Sequence, residues 1–423
     1  MKFKVKPSSI KGTTLVPASK SHTIRAVFIA ALSDGVCVIK NPLESSDGRS
    51  ALSTVKAMGA GVEVINGDWH ITGHGGDIIA PAVPVDVGNS GTSARFSLSF
   101  ASLCDSPITI TGDEQTRSRP MGPLLTALSN LGVEIKSAGG KLPATVKGPV
   151  MGGETEVNGK TSQYLSSLLI HAPLAKKDCV LKLDGLNEKP YVDMTLAWLD
   201  RMGIEYDRDG YDMFKVRGNQ KYSAFSATVP GDFSSATFFA CMGAIPGNSV
   251  TLQGLDMEDT QGDRAIFGYL EAMGAKVSID REKMEVIVTG DVLKGVKLDL
   301  NSTPDALPAM AALSALADGV TELGNVPQAR IKETDRISVM AEELGKMGIK
   351  CDEKPDALLV HGGKPIGSQV SGHGDHRVVM SLALLGSASE GVTEIETAEA
   401  VNITFPTFAK DFMACGGNIV VAE

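Results

Sequence analysis

Apolar and polar positions along this chain fall into one pattern that recurs six times. Part of each repeat is a helical stretch that closes on a glycine: Ala57-Met58-Gly59-Ala60, Asn130-Leu131-Gly132-Val133, Arg201-Met202-Gly203-Ile204, Ala272-Met273-Gly274-Ala275, Lys346-Met347-Gly348-Ile349 and Ala414-Cys415-Gly416-Gly417. Glycine at that place can take the left-handed conformation that ends a helix. In the first five repeats, alternating residues then predict a strand, a polar turn and a second strand, as over 62–65, 66–68 and 69–72. The glycines recur at intervals of 68 to 74 residues, so six repeats span the 423-residue chain. The last repeat reaches the C-terminus after one strand, and the segment 3–6 is expected to supply its missing partner.

A second helix in each repeat is rich in Ala, Leu, Ser and Met and poor in charge, over 21–32, 92–103, 162–174, 234–244, 304–317 and 376–387. Such helices suit burial on most sides. Six repeats exceed one ordinary core, which predicts two globules of three repeats each. The expected N-terminal globule is 18–229, and the C-terminal one is 230–423 completed by 1–17. Proline and small polar residues near 16–20 and 226–232 suit hinges over a cleft.

Composition narrows the function. Hydrophobic residues are 43%, charged residues 21% and the net charge is -10, which disfavours a surface tracking nucleic-acid phosphates. The six cysteines form no C-x-x-C pair and read as reduced thiols. The start lacks a secretion-signal core, and no apolar run approaches the ~20 residues of a membrane span, so a cytoplasmic protein is expected.

Polar residues at the starts of the apolar helices carry the candidate chemistry. Gly88-Asn89-Ser90-Gly91-Thr92 offers a tight turn and helix caps, with backbone N–H groups aimed at an anion. Lys20 and Arg25 open the first helix, where a structural helix prefers acids by ~0.3–1 kcal/mol, so the anion is expected from outside. Arg119 precedes Pro120, which is expected in the first turn of the next helix. Arg330 to Arg336 places five charges in seven residues, and Asp375-His376-Arg377 opens another apolar helix. Together, Lys20, Arg25, Arg119, Lys332, Arg336 and Arg377 imply a basic cleft for small anions, with Asp305 and Glu333 as acid/base candidates.

Ser19-Lys20-Ser21 with Arg25, Gly88 to Thr92, Arg119-Pro120, Ser162-Gln163, Lys189-Pro190-Tyr191, Pro304-Asp305-Ala306, Lys332-Glu333-Thr334-Asp335-Arg336 and Asp375-His376-Arg377 span the chain in one order. In this the sequence resembles the 5-enolpyruvylshikimate-3-phosphate synthase family of enolpyruvyl transferases. The resemblance implies an α/β fold of two similar domains, each of three βαβαββ units, hinged around a central cleft. It also implies transfer of the enolpyruvyl group of phosphoenolpyruvate to the 5-hydroxyl of shikimate 3-phosphate through a tetrahedral intermediate, with no metal or organic cofactor. On the matching positions, Lys20, Asn89, Gly91, Thr92, Arg119, Gln163, Arg336 and Arg377 would hold phosphoenolpyruvate. Lys20, Ser21, Arg25, Thr161, Ser162, Gln163, Tyr191, Asp305, Gln328 and Lys332 would face shikimate 3-phosphate. Asp305, Glu333 and Lys20 would be catalytic, Asp305 taking the hydroxyl proton and Glu333 serving the methylene carbon. A monomer, inhibited by glyphosate to an unassigned degree, is expected.

Three positions depart from the family. Ile403 stands before Thr404-Phe405-Pro406 where many members have lysine, Glu188 stands where serine often lies beside the substrate phosphate, and Phe96 replaces a proline. A carboxylate at Glu188 would repel phosphate, so it is expected to point away or to make a different local contact. The nearest rival is UDP-N-acetylglucosamine enolpyruvyl transferase, which typically carries a cysteine before its Arg-Pro; residues 113–118 hold none. A non-catalytic anion- or RNA-binding protein would call for exposed aromatics and a basic surface, against 5% aromatics and a negative charge.

Overall fold

Six small mixed sheets, one per repeat, frame the computed structural model, which describes residues 1–422. In the third repeat the strands Gly153–Val157, Cys179–Leu183, Met213–Val216 and Tyr206–Asp209 lie side by side in that order. The first two are parallel and the others antiparallel. Helix Ser162–His171 connects the parallel pair, and Lys189–Arg201 leads into the closing hairpin. This is a βαβαββ unit, and the other sheets repeat its strand order.

The chain divides into two compact units, Ala18–Val229 and Met1–Pro17 with everything from Pro230 onward. Each has its own apolar core. In the last repeat, strand Lys2–Lys6 lies between Thr393–Glu396 and Asn418–Ala422, antiparallel to both. Two further strands join repeats remote from them in sequence: Lys11–Leu15 runs parallel to Ser249–Gln253, and Ser226–Thr228 parallel to Ser33–Lys40.

The charge-poor helices form the interiors. Lys20–Leu32, Gly91–Ala101 and Ser162–His171 pack in one unit; Phe233–Ala244, Leu307–Ser314 and His376–Gly386 pack in the other, and nearly all their residues are buried. Ser19, Ser90, Thr161, Asp232 and Asp375 cap five of them by accepting from a backbone N–H two or three residues on. The closing glycines 59, 132, 203, 274, 348 and 416 all have positive φ, from 67° to 111°. An L side chain resists that region by roughly 1–2 kcal/mol.

One expectation needs correction. Residues 114–118 form a short helix, and the next helix is Gly122–Asn130 with Pro123, not Pro120, in its first turn. Pro123 serves because its missing N–H falls among the donors a helix start leaves unbonded. Arg119 instead ends the short helix, its N–H donating to Thr116 O. All six cysteines are free thiols, and no helix among the described residues is long and apolar enough to cross a membrane.

His171 lies edge-on to Phe28 and Phe100 with Nδ1 2.6 Å from Ser167 O, and burial lowers its pKa from 6.5 to about 4. The unfolded chain therefore takes up a proton below the ordinary histidine value while the folded chain resists until about pH 4. Stability is complete above that ordinary value and falls as the pH drops, by on the order of 3 kcal/mol once below the folded pKa. His171→Gln should remove this part of the acid sensitivity in urea unfolding at pH 7 and pH 4.5. Equal pH dependence in variant and wild type would show that His171 does not carry it.

Candidate active site

In the unit Ala18–Val229, three inner-helix starts meet. Lys20 is mostly buried, and its Nζ lies 3.2 Å from Asp47 Oδ2 in the first turn of helix Ser46–Ala57. Arg25 stands one turn further on. Its Nε donates to Thr195 Oγ1 at 2.9 Å, Nη1 to Ser21 O at 2.9 Å, and Nη2 to Tyr191 O at 2.8 Å and Ser166 Oγ at 3.3 Å. These acceptors are neutral, and burial lowers the Arg25 pKa to about 10, with Tyr191 acting the other way. A buried cation among neutral oxygens gains from an added anion.

The turn before Gly91–Ala101 is held from both sides. Gly88 has φ 56° and its N–H donates to Asp86 Oδ1 at 2.8 Å. Asn89 Nδ2 donates to Asp113 Oδ2 at 2.7 Å and to Gln115. Ser90 Oγ accepts from Ser93 N, leaving Gly91 and Thr92 at the helix entrance. A Cβ on Gly91 would overlap Arg119 Nη1 and lie 3.1 Å from Arg95 Nη1, so two guanidinium groups converge on this glycine. Arg95 Nη1 also donates to Gln163 Oε1 at 2.7 Å, joining the second helix to the third.

Arg95 has no role in the sequence reading, although i, i+4 spacing places it on the face of Gly91. Burial lowers its pKa, Tyr164 opposes that, and the neighbouring Arg119 lowers it further. Two guanidinium groups thus stand together at a helix N-terminus, a chemistry suited to an anion.

The third helix start is filled from within. Glu188, fully buried, accepts through Oε2 from Thr161 Oγ1 at 3.1 Å, Ser162 N at 3.0 Å and Ser162 Oγ at 2.8 Å. The carboxylate does not point away; it sits on the two residues expected to meet phosphate. Phe96 points into the core edge-on to Phe28, with Arg25 Cζ 5.7 Å from its ring centroid. Its polar neighbour is thus the Arg25 group. Ile403 is a buried member of the turn Ala398–Ile403.

In the other unit, acids and cations assemble on one arginine. Arg336, fully buried at the start of helix Arg336–Lys346, donates from Nη1 to Asp305 Oδ1, from Nη2 to Glu333 Oε2 and from Nε to Asp375 Oδ2, each at 2.7 Å. Burial acts to lower its pKa, but Asp375, Glu333 and Asp305 together hold it above the ordinary arginine value. Arg377 Nη2 pairs with Asp305 Oδ2 at 2.9 Å and donates to Ser234 Oγ at 2.9 Å, so Asp305 bridges two arginines. Asp375 also caps helix His376–Gly386 through Arg377 N at 2.8 Å. Gln328 is buried with Nε2 donating to Asn301 O at 2.8 Å, and Lys332 is partly exposed beside Glu333.

The expectation of open cations is therefore modified. The Arg336 and Arg377 forks are occupied by carboxylates of the same unit, because charges this deeply buried require neutralisation. Arg330 likewise pairs with Asp335 at 2.7 Å and Glu353 at 2.8 Å, braces for the same helix start.

Two three-repeat units, each with guanidinium groups, backbone donors or carboxylates at its inner-helix starts, make a fold that is shared with solved enolpyruvyl-transferring enzymes. The sequence profile described as EPSP synthase (3-phosphoshikimate 1-carboxyvinyltransferase) matches residues 4–412. A 3-phosphoshikimate 1-carboxyvinyltransferase of Acetivibrio thermocellus is 49% identical, covering all of both chains. One from Methanothrix thermoacetophila is 44% identical over 98% of each. The solved EPSP synthase of Acinetobacter baumannii superposes with TM-score 0.84 at 28% identity over both full chains. An enolpyruvyl transferase of Streptomyces tendae shares the fold, with TM-score 0.80 at 16% identity over 99% of this chain and 98% of its own. The chain belongs to the EPSP synthase family. It is accordingly a transferase of the shikimate route to aromatic amino acids.

Asp375 holds Arg336 and caps a helix at once. Asp375→Ala should cost about 3 kcal/mol in urea unfolding, the low end for a broken buried ion pair because two carboxylates remain. A loss below 1 kcal/mol would show that Asp305 and Glu333 suffice to hold the arginine.

Proposed function

We propose that this chain transfers the enolpyruvyl group of phosphoenolpyruvate to the 5-hydroxyl of shikimate 3-phosphate, with release of phosphate. The observation that carries the residue assignment is the cluster in which Asp305 joins Arg336 to Arg377 while Glu333 holds the same Arg336. Phosphoenolpyruvate brings a phosphate and a carboxylate, both matched to guanidinium forks. The family resemblance assigns Lys20, Asn89, Gly91, Thr92, Arg119, Gln163, Arg336 and Arg377 to its binding. Arg95, one turn into the Gly91 helix, joins this set.

Shikimate 3-phosphate is met by Lys20, Ser21, Arg25, Thr161, Ser162, Gln163, Tyr191, Asp305, Gln328 and Lys332. As the substrate anions engage Arg336 and Arg377, Asp305 and Glu333 are exchanged from the forks and become available for proton transfer. Asp305 accepts the proton of the 5-hydroxyl as its oxygen attacks C2 of phosphoenolpyruvate, and Glu333 protonates C3. Glu333 then removes a proton from C3 of the tetrahedral adduct as phosphate leaves. Lys20 balances the charge of both substrates. Protonation is needed because an alkene carbon is a poor electrophile until positive character develops, and each well-placed acid or base contributes ~10²–10⁴ in rate.

Transfer to UDP-N-acetylglucosamine is not favoured: residues 113–118 lack the cysteine that reading calls for, and the curated relatives bear the shikimate name. The reading further includes a cytoplasmic monomer open to glyphosate at the phosphoenolpyruvate seat, in keeping with six free thiols.

Purified protein should release phosphate from phosphoenolpyruvate with shikimate 3-phosphate and not with UDP-N-acetylglucosamine. Asp305→Ala and Glu333→Gln should each lower kcat by about 10²–10⁴ while remaining folded. Release with the nucleotide sugar alone would overturn the acceptor, and near-normal turnover in either variant would remove that residue from the mechanism.

Gly91→Ala keeps an ordinary helical backbone but displaces the Arg119 guanidinium. It should raise the KM for phosphoenolpyruvate about 10- to 100-fold, the worth of one hydrogen bond to a charged group, without lowering the melting temperature. An unchanged KM would place phosphoenolpyruvate elsewhere.

A further inference from the structure

Glu188 sits on the start of helix Ser162–His171, where an acceptor phosphate is expected. Its Oε2 takes three hydrogen bonds, from the Thr161 hydroxyl, the Ser162 hydroxyl and the Ser162 backbone N–H. The side chain has no exposed surface. Its backbone is left-handed, φ 60° and ψ 38°, a conformation an L residue adopts at a cost. Lys189, the adjacent residue, lies over the Tyr211 ring at 5.1 Å, while the Glu188 charge is felt by the buried Arg95. The donor set around Oε2, two hydroxyls and an N–H at the positive end of a helix, is that of a phosphate site.

We propose that Glu188 is a specificity-determining residue: in the empty protein its carboxylate fills the phosphate seat of the acceptor, and binding exchanges the carboxylate for the phosphate. This rests on the reading of Thr161 and Ser162 as donors to shikimate 3-phosphate. One helix start cannot serve two anions on the same three donors, since each oxygen in hydrogen-bond range excludes the other and like charges repel. Acceptor binding therefore includes release of Glu188, and the phosphate contributes less affinity than its contacts alone would supply. An acceptor lacking the phosphate leaves Glu188 in place. The residue thus sets how strongly the protein distinguishes a phosphorylated from an unphosphorylated acceptor.

Calorimetric titration of the full chain with shikimate 3-phosphate and with shikimate tests this in wild type, Glu188→Gln and Glu188→Ser. The glutamine keeps an acceptor on Ser162 without the charge; the serine removes both charge and occupancy. Both variants should bind shikimate 3-phosphate more tightly, Glu188→Ser by about 10- to 100-fold, the worth of charge-assisted hydrogen bonds returned to the phosphate. Affinity for shikimate should change less than twofold. Weaker binding of shikimate 3-phosphate would overturn the proposal by showing that Glu188 builds the seat. An equal change for both ligands, or no change for either, would also overturn it. Wild-type phosphate release from phosphoenolpyruvate with shikimate 3-phosphate is measured alongside. Its absence overturns the functional reading, whereas release with unaltered discrimination overturns only the role of Glu188.

Discussion

Arg336 is the constraint around which one half of this protein is arranged. Its guanidinium is fully buried and reaches Asp305, Glu333 and Asp375, which lie on three different segments. Bringing charges out of water costs several kcal/mol per ion, so the cluster is weak as a source of net stability. What it supplies is placement. The two carboxylates proposed for proton transfer are held on one planar fork, and Arg377 is drawn to the same site through Asp305. Asp375 couples this to the fold, because the oxygen that accepts from Arg377 N also lies within reach of Arg336.

The other half follows a different electrostatic rule. Arg25 is satisfied by neutral oxygens, Arg95 and Arg119 converge on Gly91 at a helix N-terminus, and Lys20 pairs with the buried Asp47. Glycine at 91 is explained by space, since any Cβ meets those guanidinium groups; glycine at 88 is explained by its positive φ. Glu188 is an internal anion on a helix start in this half, as Asp47 is in the first turn of Ser46–Ala57. One unit therefore closes its buried guanidinium groups with carboxylates, and the other sets Arg25 among neutral oxygens.

Much of this was legible in the chain. Glycines at near-constant spacing mark helix ends because only glycine adopts positive φ cheaply, and all six do so. Runs of Ala, Leu, Ser and Met mark the interior helices because nothing in them requires water. The turn at Asn66-Gly67, with φ 53° and 88°, was likewise local chemistry. The first turn assigned to Pro120 failed because Pro123, three residues on, offers the same local signal. Neither strand Lys11–Leu15 nor Ser226–Thr228 announces that it opens a sheet far away in sequence, since a short alternating segment carries no record of its partner.

The sequence by itself determined the repeat, the helix ends, the family and the identity of the charged residues, because each rests on local backbone preference or on residue type. Only the tertiary structure decided which charges meet. Arg95 became a partner of Gly91 and Gln163, Arg336 was closed by three carboxylates, and Glu188 turned onto Thr161 and Ser162. The reason is that a charge buried by the fold must find compensation within a few ångströms, and apart from near neighbours such as Glu333 and Gly91 those partners come from segments tens of residues away.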